Sequence, residues 1–331
     1  MAEKTTIEWT ESTWPVLTGC SRVSEGCRNC YSERLTATRL RNVPAYQGLA
    51  ILHHGEPRWT GEVRLNEGVL YNPLRWKRPR RIFVSQMSDL FHEKVSNLWL
   101  DRMFAVMALA GRHTFQCLTK RAERMRDYCN DSETRRRVGI VMLDLIKEGE
   151  FDVPNGMIVP LERCPDSTNE KPAFWSVWPL PNIWMGVSAE DQKTADERIP
   201  LLLQTPAAIH WVSYEPALGP VDFTNLSPPN FINAFGHSFG LPSLDWIVVG
   251  GESGPEARPF NVQWARDTIA QCKAAGVACF VKQLGANPGQ ERDTKGDWHS
   301  WKLLDRKGGD IEDWPKDLQI REYPQLKQET P

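Results

Sequence analysis

The chain has 331 residues, 40% of them apolar and 25% charged, a composition that buries a sizeable core and excludes a largely disordered chain. No segment approaches the ~20 apolar residues of a membrane span, and the start MAEKTTIEWTEST lacks the basic-then-apolar pattern of an export signal, so the expectation is a cytoplasmic protein with no membrane partner. Net charge is -2, yet residues 1–137 hold 23 Lys and Arg against 15 Asp and Glu while the remainder holds 17 against 27, which makes a polyanion a plausible partner of the N-terminal half.

In chain order, a short strand near 15–18 (PVLT) leads into three cysteines, and a helix follows over 28–41. Strands are then expected at 82–87, 114–119, 183–188, 209–214, 246–250 and 278–283, from β-branched and aromatic runs bounded by polar residues. Helical spacing of apolar residues places helices at 97–111, 120–129, 132–148, 191–203 and 261–276. The last has an Asn start and a Gly276 stop.

Strands alternating with helices indicate βαβ units and a mostly parallel sheet. Right-handed crossovers curl such a sheet, so the fold class is α/β, a full or partial parallel (β/α) barrel. The expected barrel domain spans 1–288, with an insertion at about 130–182 whose Pro-, Asn- and Trp-rich stretch 149–182 carries Cys164. Residues 289–331 form a C-terminal extension whose tryptophans wrap back on the core.

Three of the eight cysteines lie within eleven positions, as Cys20-x6-Cys27-x2-Cys30. In a reducing compartment such a cluster suggests metal more than disulfides. Soft thiolates select zinc, copper(I) or iron–sulfur clusters. Structural zinc wants four ligands; a second Cys-x2-Cys is absent, although His53 or His54 could complete the set. Three cysteines suit a [4Fe–4S] cluster whose fourth iron is open to substrate or to S-adenosylmethionine. Cys117, Cys272 and Cys279 alternate within or flank regular elements and read as packed interior residues.

Active sites of barrel-like folds collect at the C-terminal ends of strands. The polar residues there are Ser88, Asp89, His92 and Glu93; Lys120 and Arg121; Ser188, Glu190 and Asp191; Glu215; Gly250, Gly251, Glu252 and Ser253; and Lys282 with Gln283. Each could instead cap a helix. As a group, Asp89, Glu215 and Lys282 are assigned to the substrate. Ser188, Glu190, Gly250, Gly251, Glu252 and Ser253 are assigned to the cofactor's polar groups, because paired glycines let a ligand approach the backbone closely.

The densest basic run is Arg75-Trp76-Lys77-Arg78-Pro79-Arg80-Arg81. It precedes the second strand and so lies at the end opposite the collected polar residues. Arg78, Arg80 and Arg81, with Lys120 and Arg121, are candidate phosphate contacts, and Trp76 a stacking platform. A solvated charge run is the plainer reading.

The stretches TIEWTESTW, TGCSRVSEGCRNCYSERL, PRRIFVSQMSDLFHE, GVSAEDQKTADERIPLLLQTPA, SYEPALGPV and DWIVVGGESGPEARP resemble a family of phage and bacterial proteins of uncharacterised function, marked by this three-cysteine loop and similar at a distance to radical S-adenosylmethionine enzymes. The resemblance implies a radical-enzyme-like barrel with Cys20, Cys27 and Cys30 as cluster ligands. The first gap is longer than the usual Cys-x3-Cys-x2-Cys, and Trp14-Pro15-Val16 stands where the family has Trp-Asn-Pro-Val. The leading expectation is an enzyme that reduces bound S-adenosylmethionine with an external electron donor and abstracts hydrogen from a nucleic acid or nucleotide. Its alternatives are a nucleic-acid-binding module with structural zinc and an iron–sulfur Lewis-acid enzyme without a radical step.

Overall fold

The computed structural model describes residues 5–147, 178–226, 234, 243–289, 291–292, 298–299 and 303–325. The main sheet has seven strands, β1 (Ser12–Trp14), β2 (Arg81–Val84), β3 (Thr114–Thr119), β4 (Ile183–Ser188), β5 (Ile209–Tyr214), β6 (Trp246–Gly250) and β7 (Ala278–Gln283), hydrogen-bonded in that order. The fold is α/β with a parallel sheet. Strand order never reverses, which is the winding of barrel-type folds and not of doubly wound ones. β1 and β7 are its two edges, so the partial form of the expected barrel applies and the closed one does not. Among the described residues no helix is long and apolar enough to cross a membrane.

The chain divides into two compact units, with β4 contributing to both: residues up to Ser21, Ser32–Met185 and Thr205–Ala208 form the first; Arg22–Tyr31, Gly186–Gln204 and the chain from Ile209 form the second. In the first unit β2 alternates, with Ile82 and Val84 buried and Arg81 and Phe83 half-buried. Helices α1 (Tyr31–Ala37, all but its first residue), α2 (Asn97–Leu109), α3 (Ala122–Asn130) and α4 (Ser132–Lys147) belong here. The helix α4 opens the 130–182 departure and packs Val138, Met142 and Leu145 inward; residues 148–177, with Cys164, lie outside the described residues.

In the second unit every residue of β5 and β6 is buried, as expected of strands covered on both faces. A side chain at Gly186 would meet the Trp211 ring at 2.5 Å, which explains a glycine inside the IWMGVS run. Helix α5 (Gln192–Leu203) starts with an Asp191–Thr194 capping box. Helix α6 (Val262–Ala275) starts on Asn261 and stops on left-handed Gly276 (φ 68°), as its sequence predicts. In the C-terminal extension, the Val281 N–H donates to Ile320 O (2.8 Å) and the Glu322 N–H to Cys279 O (2.9 Å), which occupies part of the outer edge of β7. The Arg321 guanidinium lies against the Phe280 and Trp314 rings.

The short strand expected near 15–18 is present as Leu17–Thr18, but it pairs with Arg64–Leu65, and the first strand of the main sheet is Ser12–Trp14, which ends before Pro15, a residue with no N–H for the ladder. The helix expected at 28–41 is confined to Tyr31–Ala37, because residues 24–30 are wound into turns closed by Cys27 N–H to Ser24 O and Cys30 N–H to Cys27 O.

Candidate functional site

In the first unit the chain enters the cysteine segment through Gly19. Its left-handed backbone (φ 89°) and the Glu62 carbonyl, 2.1 Å from where a Cβ would stand, exclude other residues. Cys20 and Ser21 then meet Arg121, just past β3. The Arg121 Nη1 donates to Asp89 Oδ2 (3.0 Å) and lies 3.9 Å from Cys20 Sγ, Nη2 donates to Ser21 O (3.3 Å) and Ser21 Oγ (2.7 Å), and Nε donates to Glu93. Asp89 is buried and fully used. Its other oxygen accepts from the Phe91 N–H (2.9 Å) and Thr119 Oγ1 (2.6 Å), and Oδ2 also takes the Lys120 N–H (3.1 Å).

His92 completes this group. Its Nδ1 accepts from the Lys94 N–H (3.1 Å), which assigns the proton to Nε2, and Nε2–H donates to Ser21 Oγ (2.9 Å). Burial, then the Arg121 charge, depresses the His92 pKa, so the ring is neutral at pH 7. Burial works to raise Glu93, but the Arg121 hydrogen bond, a backbone N–H and the Arg121 charge outweigh it and bring its carboxyl to about 2.

In the second unit two buried carboxylates grip the loop Arg22–Tyr31. Glu190, past β4, accepts from Ser24 Oγ (3.1 Å) and from Arg198 Nη1 (3.1 and 3.3 Å), while the same Nη1 donates to Ser188 O (2.8 Å). A Cβ on Gly26 would stand 2.4 Å from Glu190 Oε1, so the loop lies directly on this carboxylate. Glu252, past β6, accepts from Asn29 Nδ2 (3.0 Å), from the Arg258 N–H (2.9 Å) and from its guanidinium (2.6 and 3.0 Å). Burial raises Glu252, but these bonds outweigh it and lower its pKa. Arg258 continues to Glu25 O (3.0 Å). The candidates Glu190 and Glu252 therefore reach the cysteine loop.

Elsewhere in this unit Glu215 and Lys282, both selected from strand ends, pair at 2.6 Å, and Gln283 Nε2 donates to the same Glu215 oxygen (3.3 Å). Both ends of the pair keep some exposure. A Cβ on Gly251 would meet Leu284 O at 2.5 Å, and one on Gly250 would meet Gln283 O at 3.2 Å. Close packing against the segment after β7 accounts for both glycines. Ser253 is half-buried beside them.

Of the seven described cysteines, Cys20, Cys27 and Cys30 are half-exposed and Cys117, Cys129, Cys272 and Cys279 are buried. Burial pushes the Cys117 and Cys129 thiols up, and a bond from Cys272, then burial, does so for Cys279, which leaves these protonated and inert. Cys20 instead has a cation beside it, and Cys27 Sγ lies 4.0 Å from the Ser24 hydroxyl. Among the described residues no three His, Cys, Asp or Glu side chains surround a point that could hold a single metal ion. His53 and His54 sit exposed at a hairpin turn between Ala50–His53 and Glu56–Trp59, ring against ring at 4.3 Å.

The basic run lies before β2, at the other end of that strand from Asp89. Arg78 is exposed, Arg80 stacks over Trp76 (4.9 Å) and donates to Ser12 Oγ (3.4 Å), and the Arg81 guanidinium stands 3.7 Å from Glu11. Sequence reasoning passed over Arg198, Arg258, Asn29, Ser21 and Gly26. The Gly between two cysteines and the arginine eight positions after Glu190 were the available signals.

No curated protein and no solved structure matches the chain. One family does, described as "Protein of unknown function (DUF5131)", and the match runs over residues 4–312. With nearly the whole chain covered, the protein belongs to the DUF5131 family.

Proposed function

We propose that this protein is an iron–sulfur enzyme of the radical S-adenosylmethionine type acting on a nucleic acid or nucleotide, with Cys20, Cys27 and Cys30 as the cluster ligands. The observation that carries the reading is the contrast between these three half-exposed thiols and the four buried ones, together with the buried carboxylate–arginine pairs that hold the segments bearing the three. Loops that serve only as connections seldom draw such support, whereas ligand loops are held by outer hydrogen bonds. Three soft thiols, one beside a cationic N–H donor, are a donor set that suits an iron–sulfur cluster. Zinc needs its donors around one ion, a different arrangement from one thiolate per iron.

When bound, the cluster and S-adenosylmethionine supply one-electron reductive cleavage, fed by an external donor. The chain's residues do the rest. Asp89, Glu190 and Glu252 act through the cysteine segments they hold, while Ser188, Gly250, Gly251 and Ser253 offer polar and backbone groups to the cofactor. Lys282 Nζ holds a proton 2.6 Å from Glu215, poised to exchange it with substrate. Arg78, Arg80, Arg81 and Lys120 contact phosphates, with Arg121 held back by its carboxylates.

Reconstitution with iron and sulfide under anaerobic conditions tests this. About four irons per chain are expected for one [4Fe–4S] cluster, and none retained in Cys27→Ala. Colourless protein with a single zinc overturns the reading in favour of a structural site.

A further inference from the structure

Arg121 places a cation against the thiol of Cys20, and its placement is highly determined. The guanidinium is 9% exposed and is bound on three sides by Asp89, Glu93 and Ser21, leaving Nη1 3.9 Å from Cys20 Sγ. Ser21 has no freedom to turn it away, because its hydroxyl accepts from both Arg121 and His92 and its carbonyl accepts from Arg121 as well. Burial opposes the Arg121 charge, but the Asp89 charge, the Glu93 hydrogen bond and the Cys20 charge prevail and keep it cationic at all accessible pH. The sulfur of Cys27, by contrast, is approached by a neutral hydroxyl at 4.0 Å.

Hydrogen bonds to the sulfurs and local charge are among the main controls on the reduction potential of an iron–sulfur cluster, because the reduced cluster is the more electron-rich form. We infer that Arg121 tunes the reduction potential of the cluster held by Cys20, making it easier to reduce by directing a cationic N–H at the Cys20 sulfur. This rests on the cluster reading of the cysteine loop. The carboxylates around Arg121 set how much of its charge reaches the sulfur: Asp89 is buried and holds the guanidinium in place, while Glu93 is exposed and neutralises it from outside. Arg121 is thus a positioning and tuning residue that need not touch substrate.

The two charges predict opposite shifts. Full-length chain is reconstituted anaerobically with iron and sulfide, its iron content is measured, and the cluster is titrated with dithionite against redox mediators, followed by absorbance and paramagnetic resonance. Arg121→Gln shifts the midpoint to more negative potential, and Glu93→Gln shifts it to more positive potential, each at wild-type iron content. Glu93 is a surface residue, so the second variant remains informative if the first does not fold. An unmoved midpoint in Glu93→Gln, or in a folded Arg121→Gln, overturns the tuning role and leaves the cluster assignment standing. Absence of iron from the wild-type chain overturns both.

Discussion

The contact between Gly26 and Glu190 allows a sharp test of how the cysteine loop is held. Gly26 has no left-handed backbone that would demand glycine, so the cost of Gly26→Ala is one of space alone. The added Cβ would stand 2.4 Å from both Glu190 Cγ and Oε1, well inside contact distance, and Glu190 cannot swing aside without releasing the buried Arg198 and the half-buried Ser24. Overpacking of this kind costs about 1–3 kcal/mol. Removing only Glu190 would strand the Arg198 charge at about 3–5 kcal/mol, so the suitable background removes both, Glu190→Ala with Arg198→Met, which is nearer neutral. In that background the clash is gone and Gly26→Ala should cost less than ~0.5 kcal/mol, a coupling of about 1–2 kcal/mol or more by double-mutant logic. Urea unfolding of the four proteins, followed by tryptophan fluorescence and circular dichroism, measures it. Equal costs of Gly26→Ala in both backgrounds would refute the view that the loop rests on this carboxylate.

Other outcomes follow from the same geometry. Burial depresses the His113 pKa to about 4, partly opposed by its bond to Pro73 O; because the folded value lies below the unfolded one, its contribution is present above about pH 6.5 and is lost as pH falls toward 4, about 3 kcal/mol at most. His113→Gln should flatten the fall in stability over that window, as read from urea midpoints at each pH. Lys282→Met should abolish turnover and lower stability by about 1–3 kcal/mol, since it takes the cation from the mostly buried Glu215 carboxylate; a variant with normal turnover removes Lys282 from the reacting group. Arg78→Ala should weaken binding of a single-stranded oligonucleotide and reduce the slope of log affinity against log salt by about 0.7, and an unchanged slope places no phosphate on Arg78.

Much of the fold is readable because β6 is an unbroken apolar run closed by glycine and α6 carries both its caps, signals that depend on neighbouring residues alone. The strand Ser12–Trp14 is harder to read because it has only three residues and stops before Pro15, which has no N–H for a ladder. The hairpin at 50–59 was passed over because its turn uses His54-Gly55, both at positive φ (50° and 83°), where Asn-Gly would have been recognised. The candidate site follows the same division. Strand-end carboxylates Asp89, Glu190 and Glu252 are visible as a pattern, but what each one meets depends on which helical turn or loop presents an arginine, a matter of tertiary packing. So Arg198 and Arg258 were missed, and residues assigned to a ligand proved to reach the cysteine loop. Glu215 and Lys282 lie 67 residues apart in sequence and share a site because β5 and β7 flank β6.

The cluster proposed for Cys20, Cys27 and Cys30 has an iron open to S-adenosylmethionine. Electron paramagnetic resonance of the anaerobically reconstituted, dithionite-reduced protein, recorded with and without S-adenosylmethionine, addresses it most directly. A reduced-cluster signal that changes shape when the cofactor is added is expected, as the open iron gains a ligand. A signal identical in both samples would contradict cofactor binding at the cluster, and no signal from iron-free protein would contradict the cluster itself.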